Sequence, residues 1–429
     1  MDQNSGIARK LQDTLPPAIP ELLRAATDLA EKHGWDIYLV GGFVRDLLLG
    51  IASLDVDLSV VGDAATLAEE VAQQSGATVR KHSRFGTATL TPQGGGAHLD
   101  VVTARRETYA SPGALPSVEE GTITDDLARR DFTVNALAVA LRSNSPHQLL
   151  DPHSGMADLE AKVIRVLHSR SFIDDATRIF RAVKLATRLG FKMEQATVQL
   201  ILEAVRDGVL ATISTQRAIR EVEFILQEPK ASEMLATLER FGVLRAVHPE
   251  LGWPYESGRM SFEDLNIDPL LREESLLAVM AAEYADEPPE AERIARELLL
   301  TAPQVRLMRD AATLMGRWQS LSEEEQRPSR TYALLNDLGV RALEAVERIP
   351  TLQSSGLAHL RLQSYLTELR HTKPQLKGED LQRLGVEPGP DFKLIQDRLR
   401  ASRLDGEAPR REDEEALVRR WLRERIGHE

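Results

Sequence analysis

The stretch Tyr38–Val61 reads YLVGGFVRDLLLGIASLDVDLSVV and predicts a strand, a glycine turn, a short helix and a second strand. The β-forming residues Tyr38–Val40 run into Gly41 and Gly42. Because glycine has no Cβ, the backbone there can turn tightly and approach a ligand closely. Residues 43–49 follow with helical spacing. The pattern therefore predicts a β-turn-helix unit whose turn is open to a bound group.

The second strand carries two aspartates with one residue between them. Side chains alternate along a strand, so Asp55 and Asp57 project from one face while Val56 and Leu58 face the other way. Two adjacent carboxylates repel each other, which raises the pKa of one of them unless a cation neutralises the pair. A Mg²⁺ ion resolves this conflict, because it takes oxygen ligands and shares its coordination with substrate phosphates.

Each half of this stretch also has an ordinary structural explanation. A Gly-Gly turn is most often only a turn, and Asp-x-Asp often marks a solvated strand end. With Arg45 and Asp46 on the intervening helix, the two halves together are specific. GGFVRDLLLG followed by LDVDLSVVG resembles the signature of class II tRNA nucleotidyltransferases and bacterial poly(A) polymerases, in the polymerase-β-like superfamily.

A third carboxylate occurs in the predicted strand 98–103, HLDVVT, where Asp100 points opposite to its apolar neighbours. If this strand pairs beside the strand of the two aspartates, the three carboxylates meet. The ordinary alternative is a half-exposed strand aspartate. The resemblance favours the cluster, because the family places its third carboxylate on the equivalent strand. It implies that Asp55, Asp57 and Asp100 are catalytic and that Asp55 and Asp57 bind Mg²⁺.

Two further segments follow this strand. Residues 105–123 are rich in Pro, Gly and Ser and predict a mobile loop; in the family, a flexible loop here is linked to addition of the terminal adenosine. Residues 125–136, DDLARRDFTVNA, place charges directly against an apolar face that must be buried. Such a face would hold the polar groups rigidly at a surface, as ribose and triphosphate binding requires. A capped helix with an ordinary salt bridge is the alternative. The string RRDFTVNALA resembles the second motif of the family.

The segment 174–184 carries the third signal. Helical spacing predicts that Asp174, Arg178, Arg181 and Lys184 form one polar stripe, with Asp175 adjacent. An ion-paired helix surface is the usual outcome of such a stripe. The segment resembles the nucleotide-selecting helix of the family, whose carboxylate and arginine hydrogen-bond to the incoming base. It departs from the family in having Asp174 where Glu is usual and Lys184 where Arg is common, which affects the details of base selection.

The resemblance implies a set of nucleotide-binding residues: Gly41, Gly42, Arg45, Asp46, Arg130, Asp131, Asn135, Asp174, Asp175, Arg178, Arg181 and Lys184. Within this set, Gly41, Gly42 and Arg45 would cradle phosphates. Arg130 would bind ribose and phosphate. Asp175 and Arg178 would read the base, aided by Arg181.

Bulk composition sets limits on the class of protein. The 429 residues contain no cysteine, which excludes disulfides and thiolate metal sites and favours a cytoplasmic protein. The chain has no apolar run of the length that a membrane span needs and no secretory leader, so no membrane partner is expected. A net charge of −13 argues against nucleic acid. However, arginine is clustered, notably between residues 398 and 425, and local distribution matters more than the sum.

We expect an α+β fold, with an N-terminal palm of mixed β-sheet and helices of the nucleotidyltransferase type, followed by an all-α neck, body and tail. The predicted domains are a head, a neck with the nucleotide-selecting helices, a helical body and a helical, tRNA-binding tail: 1–150, 151–250, 251–375 and 376–429. Residues 252–290 look like a loop-rich connector, and residues 377–381 like a helix start able to hold a phosphate.

The function that the resemblance implies is addition of C, A or both from CTP and ATP to the 3′ end of tRNA by two-metal nucleotidyl transfer. Addition of the whole CCA end, of CC alone and of A alone stay open. A poly(A) polymerase is the first alternative, and a non-catalytic RNA-binding protein on the same scaffold is the second. The sequence carries no signal for the oligomeric state.

Overall fold

The computed structural model describes residues 3–82, 86–141, 147–253, 269–353, 356–387 and 389–426. The chain forms two compact units. The first consists of Met1–Glu221 with Thr237–Val247, and the second of Val222–Ala236 with His248–Glu429. Every strand in the described part of the chain lies in the first unit, which confirms the predicted mixed palm followed by helices. The predicted division into four domains stays a prediction.

The strands and helices up to residue 247 are, in chain order, α1 (Gln3–Thr14), α2 (Ile19–His33), β1 (Asp36–Val40), α3 (Gly42–Leu49), β2 (Asp55–Val61), α4 (Ala64–Ser75), β3 (Thr78–His82), β4 (Thr87–Thr91), β5 (His98–Thr103), β6 (Arg105–Thr108), β7 (Ser117–Glu120), α5 (Ile123–Ala128), β8 (Ala138–Ala140), β9 (Leu149–Leu150), α6 (Gly155–Ala161), β10 (Val163–Ile164), α7 (Ser171–Asp174), α8 (Thr177–Leu189), β11 (Lys192–Met193), α9 (Gln195–Arg206), α10 (Thr215–Leu226), α11 (Ala231–Arg240) and α12 (Val243–Val247). Short 3₁₀ helices span Thr133–Asn135 and Val209–Thr212.

The remaining elements are helices: α13 (Pro269–Ala281), α14 (Pro288–Glu297), α15 (Ala302–Gly316), α16 (Trp318–Leu321), α17 (Pro328–Leu335), α18 (Val340–Glu347), α19 (Pro350–Gln353), α20 (Leu357–Thr367), α21 (Gly378–Arg383), α22 (Pro390–Leu404) and α23 (Arg411–Ile426), with 3₁₀ helices at Ala282–Tyr284 and Leu369–His371. Helices α13 and α14 occupy much of the segment predicted to be a loop-rich connector, and residues 254–268 of that segment lie outside the described residues. None of the helices in the described ranges is long and apolar enough to cross a membrane.

A seven-stranded sheet organises the first unit, with the order β3-β4-β5-β2-β1-β8-β9. Strands β2 and β5 are parallel, and the other neighbouring pairs are antiparallel. In the parallel pair Asp55 lies opposite His98 and Asp57 opposite Asp100. Because paired residues project from the same side of a sheet, the three predicted carboxylates share one face.

Packing on that same face fixes the position of α5. Tyr38 and Val40 of β1 form a buried cluster with Ala138 and Ala140 of β8 and with Leu127 of α5. By alternation, these strand residues lie on the face that carries the aspartates. The cluster therefore seats the end of α5, and the Arg129-Arg130 pair that follows it, against the same side of the sheet as the carboxylates.

The opposite face of the sheet is apolar. Val56, Leu58, Leu99 and Val101 are fully buried there. Helices α2 and α4 contact each other and strands β1, β4 and β5, and they cover this face. Burial of these side chains is the main force that holds the two aspartate strands in register.

The predicted loop 105–123 is partly ordered into a hairpin. Strands β6 and β7 pair antiparallel, with Arg105 opposite Glu120 and Arg106 opposite Glu119. Opposite charges that face each other across two strands stabilise such a pair. The prediction of a loop throughout was therefore wrong where the two strands form, and irregular backbone is left at residues 109–116 and 121–122.

A small core closes the C-terminal end of the second unit. Leu381 of α21, Leu399 of α22 and Val418 of α23 are fully buried in one cluster. At the start of α21, the Asp380 carboxylate accepts a hydrogen bond of 2.9 Å from the backbone N–H of Lys377. That N–H therefore already has a hydrogen-bond partner within the protein and is not free to bind a phosphate, contrary to the prediction for this helix start.

Candidate active site

The glycine turn after β1 brings the backbone close to the side chains of two predicted site residues, Arg130 and Asp57. Gly41 has φ 74° and ψ −141° and precedes the first residue of α3. A Cβ added there would lie 2.5 Å from Arg130 Nη1 and 3.3 Å from Asp57 Oδ2. A side chain at this position would be strained and would collide with Arg130. The turn therefore requires glycine.

The three carboxylates have different surroundings. Asp55 is exposed at the start of β2, and its Oδ1 lies 3.0 Å from Nε2 of His98. Asp100 accepts a hydrogen bond of 2.6 Å from the Thr89 hydroxyl on β4. Asp57 lies between them, half-buried. His98 was not singled out from the sequence, because its link to Asp55 depends on the register of β2 and β5.

Burial dominates the electrostatic environment of Asp57. Burial raises the pKa of Asp57 to about 6; Arg130 opposes this rise, while Asp100 and Asp55 reinforce it. A carboxylate in such a position gains most from a bound cation, and its oxygen donors suit a hard divalent ion. In the described part of the chain, no three acidic, histidine or cysteine side chains close around a metal-sized site. A cation held by these carboxylates would therefore complete its shell with other oxygens.

A continuous chain of hydrogen bonds links the glycine turn to α8. Arg45 of α3 is buried; it donates from Nε to Asp46 at 2.8 Å and from Nη1 to the Asn135 side-chain oxygen at 2.6 Å. The Asn135 amide donates to Asp131 at 3.0 Å. The other oxygen of Asp131 accepts from Arg181 Nε at 2.8 Å and Nη2 at 2.6 Å. Five of the predicted nucleotide-binding residues thus hold one another in place.

Neighbouring positive charge keeps Asp131 ionised within this network of hydrogen bonds. Burial alone would raise the pKa of Asp131, but Arg181 and the hydrogen bond from Asn135 together hold it below its usual value. The Arg181 side chain is 51% exposed. Asp131 therefore fixes a guanidinium that still faces solvent and can meet a ligand.

A second network positions Arg130. Asp126 of α5 is fully buried, and it accepts from Arg129 Nη2 at 2.7 Å and from Arg130 Nη2 at 2.9 Å. Burial alone would raise the pKa of Asp126, but Arg130 and Arg129 hold it below its usual value. Glu107 on β6 accepts from Arg129 at 3.2 Å. The two arginines after α5 are thus held by buried acids.

The segment predicted to read the base differs from the predicted single helix. Helix α7 ends at Asp174, Asp175 is extended with φ −146° and ψ 104°, and α8 starts at Thr177. Asp174 lies 3.5 Å from Arg170 in an ion pair. Because the helix is broken, Asp174 does not belong to the helix that carries Arg178, Arg181 and Lys184. Asp175 instead hydrogen-bonds to the start of α8, at Thr177. The expectation of one continuous stripe through this segment was therefore wrong.

The two residues predicted to read the base have fixed orientations. Arg178 is buried; its Nη1 donates to the Ser171 hydroxyl and its Nη2 to the Arg129 carbonyl, both at 2.9 Å. Asp175 Oδ1 accepts from the backbone N–H and the hydroxyl of Thr177 at 3.0 and 2.8 Å. A planar donor and a carboxylate acceptor are thus presented by a rigid frame.

These elements enclose a polar cavity of about 450 Å³. Its lining residues are Gly42, Arg45, Asp57, Glu107, Tyr109, Arg129, Arg130, Asp131, Asn135, Asp175, Thr177, Arg178, Arg181 and Glu221. Nine of the predicted site residues belong to this lining: Gly42, Arg45, Asp57, Arg130, Asp131, Asn135, Asp175, Arg178 and Arg181. The predicted residues outside it are Gly41, Asp46, Asp55, Asp100, Asp174 and Lys184.

Five lining residues were not predicted: Glu107, Tyr109, Arg129, Thr177 and Glu221. Burial raises the pKa of Tyr109 to about 12, reinforced by Glu107, so its hydroxyl stays protonated and donates to Glu107 at 3.0 Å. Burial also raises the pKa of Glu221 on α10, against the opposing charges of Lys184 and Arg181. Lys184 lies 3.9 Å from Glu221, which places it behind the cavity wall.

Comparison with known proteins agrees with this geometry. Residues 37–165 match the family described as "Poly A polymerase head domain", and residues 190–253 match "Probable RNA and SrmB- binding site of polymerase A". The chain is 34% identical to an A-adding tRNA nucleotidyltransferase of Halalkalibacterium halodurans, over 87% of this chain and 86% of the relative. It is 35% identical to a CC-adding tRNA nucleotidyltransferase of Deinococcus radiodurans, over 92% of each.

The chain belongs to the class II tRNA nucleotidyltransferase family. Another member of this family, an A-adding enzyme of Geobacter sulfurreducens, is 34% identical over 93% of this chain, and the chain spans 47% of the length of that relative. Membership of this nucleotidyltransferase family implies a divalent metal, and the oxygen donors around Asp57 fit one.

Solved structures of the family share the fold. A CCA-adding enzyme in apo form II superimposes with a TM-score of 0.80 at 29% identity, covering 96% of this chain and 98% of that one. The Thermotoga maritima CCA-adding enzyme complexed with tRNA gives a TM-score of 0.76 at 29% identity, covering 97% and 98% of the two chains. The α+β palm followed by helices is therefore confirmed as the architecture of this tRNA nucleotidyltransferase family.

Proposed function

We propose that the protein transfers cytidylate, adenylate or both from CTP and ATP to the 3′ end of tRNA and releases pyrophosphate. Relatives that add A and relatives that add CC resemble the chain almost equally, at 34% and 35% identity. Overall similarity therefore supports the reaction and the acceptor without choosing the nucleotide.

One observation carries the proposal: Asp57 belongs both to the carboxylate face of the sheet and to the wall of the arginine-lined cavity. A nucleotide seated in this cavity would place its phosphates beside the strand pair β2–β5. The 3′ end of an acceptor would then meet the α-phosphate at Asp57 and Asp100. Proximity of this kind is the central requirement of phosphoryl transfer.

We propose Mg²⁺ as the divalent metal, held by Asp55 and Asp57. When bound, Mg²⁺ would supply charge neutralisation of the triphosphate and a lowered pKa for the attacking 3′ hydroxyl. Asp100, directly opposite Asp57 in the register, would accept the proton of that hydroxyl or orient it. The hydrogen bond from Thr89 fixes Asp100 for this role.

The phosphates and ribose would be bound by guanidinium groups whose positions are set in advance. Arg130 lies over Gly41, where the absent Cβ leaves room for the Arg130 guanidinium to lie close to the backbone of the turn. Arg45 borders the same end of the cavity, held by Asp46. Arg181, half-exposed and held by Asp131, would complete the grip. Charge-assisted hydrogen bonds from fixed guanidinium groups are strong because little ordering remains to be done on binding.

Asp175 and Arg178 would read the base. A carboxylate accepts from the exocyclic amino group that both cytosine and adenine carry, and a guanidinium donates to their ring nitrogen or carbonyl acceptors. Uracil presents a carbonyl oxygen where cytosine has its amino group, so it would face Asp175 without a donor. The cavity therefore favours CTP and ATP over UTP by hydrogen-bond pattern.

The test uses tRNA transcripts that lack the 3′ end, or that end in C or in CC, each with CTP, ATP, UTP and GTP singly and in pairs. We expect extension by C, by A or by CCA on tRNA and none on a generic oligoadenylate primer. Asp57→Asn should lower extension by about a thousandfold or more, because a metal-binding carboxylate is lost. Its thermal midpoint should stay close to that of the wild type.

Two results would contradict the proposal. Long tracts of A on any RNA primer would identify a poly(A) polymerase instead. Unchanged RNA binding without any extension, in wild type and Asp57→Asn alike, would identify a non-catalytic RNA-binding protein. The cytoplasmic location expected from the cysteine-free composition remains a prediction.

A further inference from the structure

The carboxylate of Asp175 is bound from two directions. On one side, Thr177 holds Oδ1 through its backbone N–H and its hydroxyl. On the other side, Nη2 of Arg217 donates to the same oxygen at 3.0 Å. No hydrogen bond to Oδ2 is present among the residues that the structure describes. The three donors to Oδ1 therefore fix the carboxylate plane and direct its other oxygen to the cavity that Asp175 lines.

Arg217 reaches this position from a different part of the chain. It lies in the first turns of α10, and 42 residues separate it from Asp175. No motif that pointed to the nucleotide site includes α10. Both side chains are partly shielded from solvent, with 34% of Arg217 and 24% of Asp175 exposed. A pair at this depth is screened less than a surface ion pair and can hold a defined geometry.

The second nitrogen of Arg217 is also used. Nη1 donates to the carbonyl of Gly113 at 3.2 Å. The N–H of Gly113 donates at 3.3 Å to the carbonyl of Ile173. Gly113 has φ +69°, and a Cβ there would lie 2.4 Å from the Thr212 hydroxyl oxygen. The backbone at Gly113 is thus fixed on three sides, and it anchors the guanidinium in the plane that meets Asp175.

We propose that Arg217 is a positioning residue for nucleotide selection, which holds the Asp175 carboxylate in the orientation that accepts the amino group of cytosine or adenine. This inference rests on the proposed function, because it assigns a cause to base discrimination at the same site. Arginine suits the role because its planar guanidinium binds two acceptors at once at a fixed angle. Lysine can hold one acceptor at a time and does not fix that angle.

The test compares Arg217→Gln, Arg217→Lys and wild type as full-length protein. A matched control is Arg206→Gln on α9, since Arg206 is exposed and, in the part of the chain that the structure describes, forms its ion pair with its neighbour Asp207. The readout is kcat/KM for CTP, ATP, UTP and GTP on the tRNA acceptor that the wild type extends. We expect Arg217→Gln to lower discrimination against UTP at least about tenfold, mainly through a higher KM for the correct nucleotide.

Arg217→Lys should fold and keep part of the activity, but it should not reach the discrimination of the wild type. This result would show that the geometry of the guanidinium matters, and not only its positive charge. Far-UV circular dichroism checks that each variant is folded. In a double-mutant cycle with Asp175→Asn, the effect of Arg217→Gln on discrimination should largely disappear, because both changes act through one carboxylate.

The inference is overturned if Arg217→Gln, or Arg217→Lys where the glutamine variant does not fold, keeps wild-type discrimination. It is also overturned if the effects of the Arg217 and Asp175 changes on discrimination multiply independently. A wild-type protein that extends no tRNA would overturn the proposed function itself, and this inference with it. Extension by wild type with unaltered discrimination in the variants overturns the role of Arg217 alone.

Discussion

Asp126 offers the sharpest test of how the nucleotide site is built, because it is fully buried and lies behind the arginines that would bind the ligand. We predict that Asp126→Asn destabilises the first unit and weakens CTP binding. The carboxylate accepts three hydrogen bonds, from Arg129 Nε at 3.0 Å and Nη2 at 2.7 Å, and from Arg130 Nη2 at 2.9 Å. Asparagine keeps one acceptor oxygen, loses the charge and turns an amide towards a guanidinium.

The size of the effect follows from burial. Asp126 has no exposed side-chain surface, and Arg129 and Arg130 have 19% and 15% exposed. Hydrogen bonds to charged groups contribute about 1.5–3 kcal/mol each, and removal of one partner of a buried pair costs roughly 3–5 kcal/mol. Because the arginines keep some solvent, we expect a loss near the lower end, about 3 kcal/mol. Release of Arg130 should lower CTP affinity about tenfold, the loss of one charge-assisted hydrogen bond.

The effect should also depend on pH, with a defined sign. The pKa of Asp126 is held below its usual value in the fold, since Arg130 and Arg129 outweigh the effect of burial. Its stabilisation is therefore complete above the pKa of an unfolded aspartate, about 4. It is lost as the pH falls through the folded-state pKa. The difference between wild type and Asp126→Asn should be constant near neutrality and shrink in acid.

The measurement is differential scanning calorimetry of the full chain, which has two compact units and need not unfold in one step. The relevant transition is the one that CTP raises in the wild type, and CTP affinity is measured by titration calorimetry. The neighbouring Asp125→Asn is the control, since Asp125 caps α5 from outside the core. Equal shifts in both variants, or unchanged CTP affinity in Asp126→Asn, would refute the positioning of Arg130 by Asp126.

Two further outcomes can be measured in the same way. Gly41→Ala and Gly50→Ala both force alanine into positive φ, but only a Cβ at Gly41 meets Arg130, at 2.5 Å, whereas one at Gly50 meets nothing within 4 Å. The free energy of unfolding should fall by about 1 kcal/mol in Gly50→Ala and by about 1–3 kcal/mol in Gly41→Ala, whose ψ of −141° is one that glycine alone readily adopts. CTP affinity should fall only in Gly41→Ala; a fall in both variants would show an effect of backbone strain alone. Glu414→Gln should lower the free energy of unfolding of the second unit by about 2–4 kcal/mol, and with it the thermal midpoint. The reason is that the fully buried Glu414 carboxylate accepts a hydrogen bond of 2.9 Å from the backbone N–H of Leu376. CTP affinity should stay within about twofold, and a larger change would contradict a purely structural role of Glu414.

Local patterns predicted the parts of the site that local rules govern. Alternation along a strand placed Asp55 and Asp57 on one face, and glycine at positions 41 and 42 indicated the turn. The partner strand of Asp100 came from the family resemblance, and the register that sets it opposite Asp57 is a property of the sheet. Packing of buried residues in β2 and β5 determines that register.

The segment 174–184 shows why helical periodicity misled the prediction. Helical spacing from Asp174 to Lys184 ignores that Asp175 can hydrogen-bond to the backbone two residues ahead. Its side chain accepts from the N–H of Thr177 at 3.0 Å, and such local bonds compete with helix formation. The Asp-Ala-Thr sequence at this point was the available signal for a helix start at Thr177.

Other site residues had no local signal. Glu221 and Arg217 occur in α10, a helix whose sequence resembles many amphipathic helices. Only tertiary packing brings Glu221 to the cavity and Arg217 to Asp175. Glu107 and Tyr109 were hidden in a segment predicted to be loop, where Glu107 is part of the β6–β7 ladder and Tyr109 directly follows β6. Long-range contacts of this kind follow from the fold and leave no periodic trace in the chain.

The acidic net charge of −13 seemed to oppose a polyanionic substrate, and the cavity shows why it does not. Its wall contains five arginines and five acidic residues. Asp131 holds Arg181, and Glu107 with Asp126 holds Arg129. These acids orient guanidinium groups that would otherwise be free to move. Their ordering of the arginines favours triphosphate binding, although a sum of charges counts them only as repulsive to the triphosphate. A triphosphate then meets donors that have already lost their conformational freedom, and binding costs less entropy. Substitution of the acids should therefore weaken nucleotide binding, although it makes the site more positive.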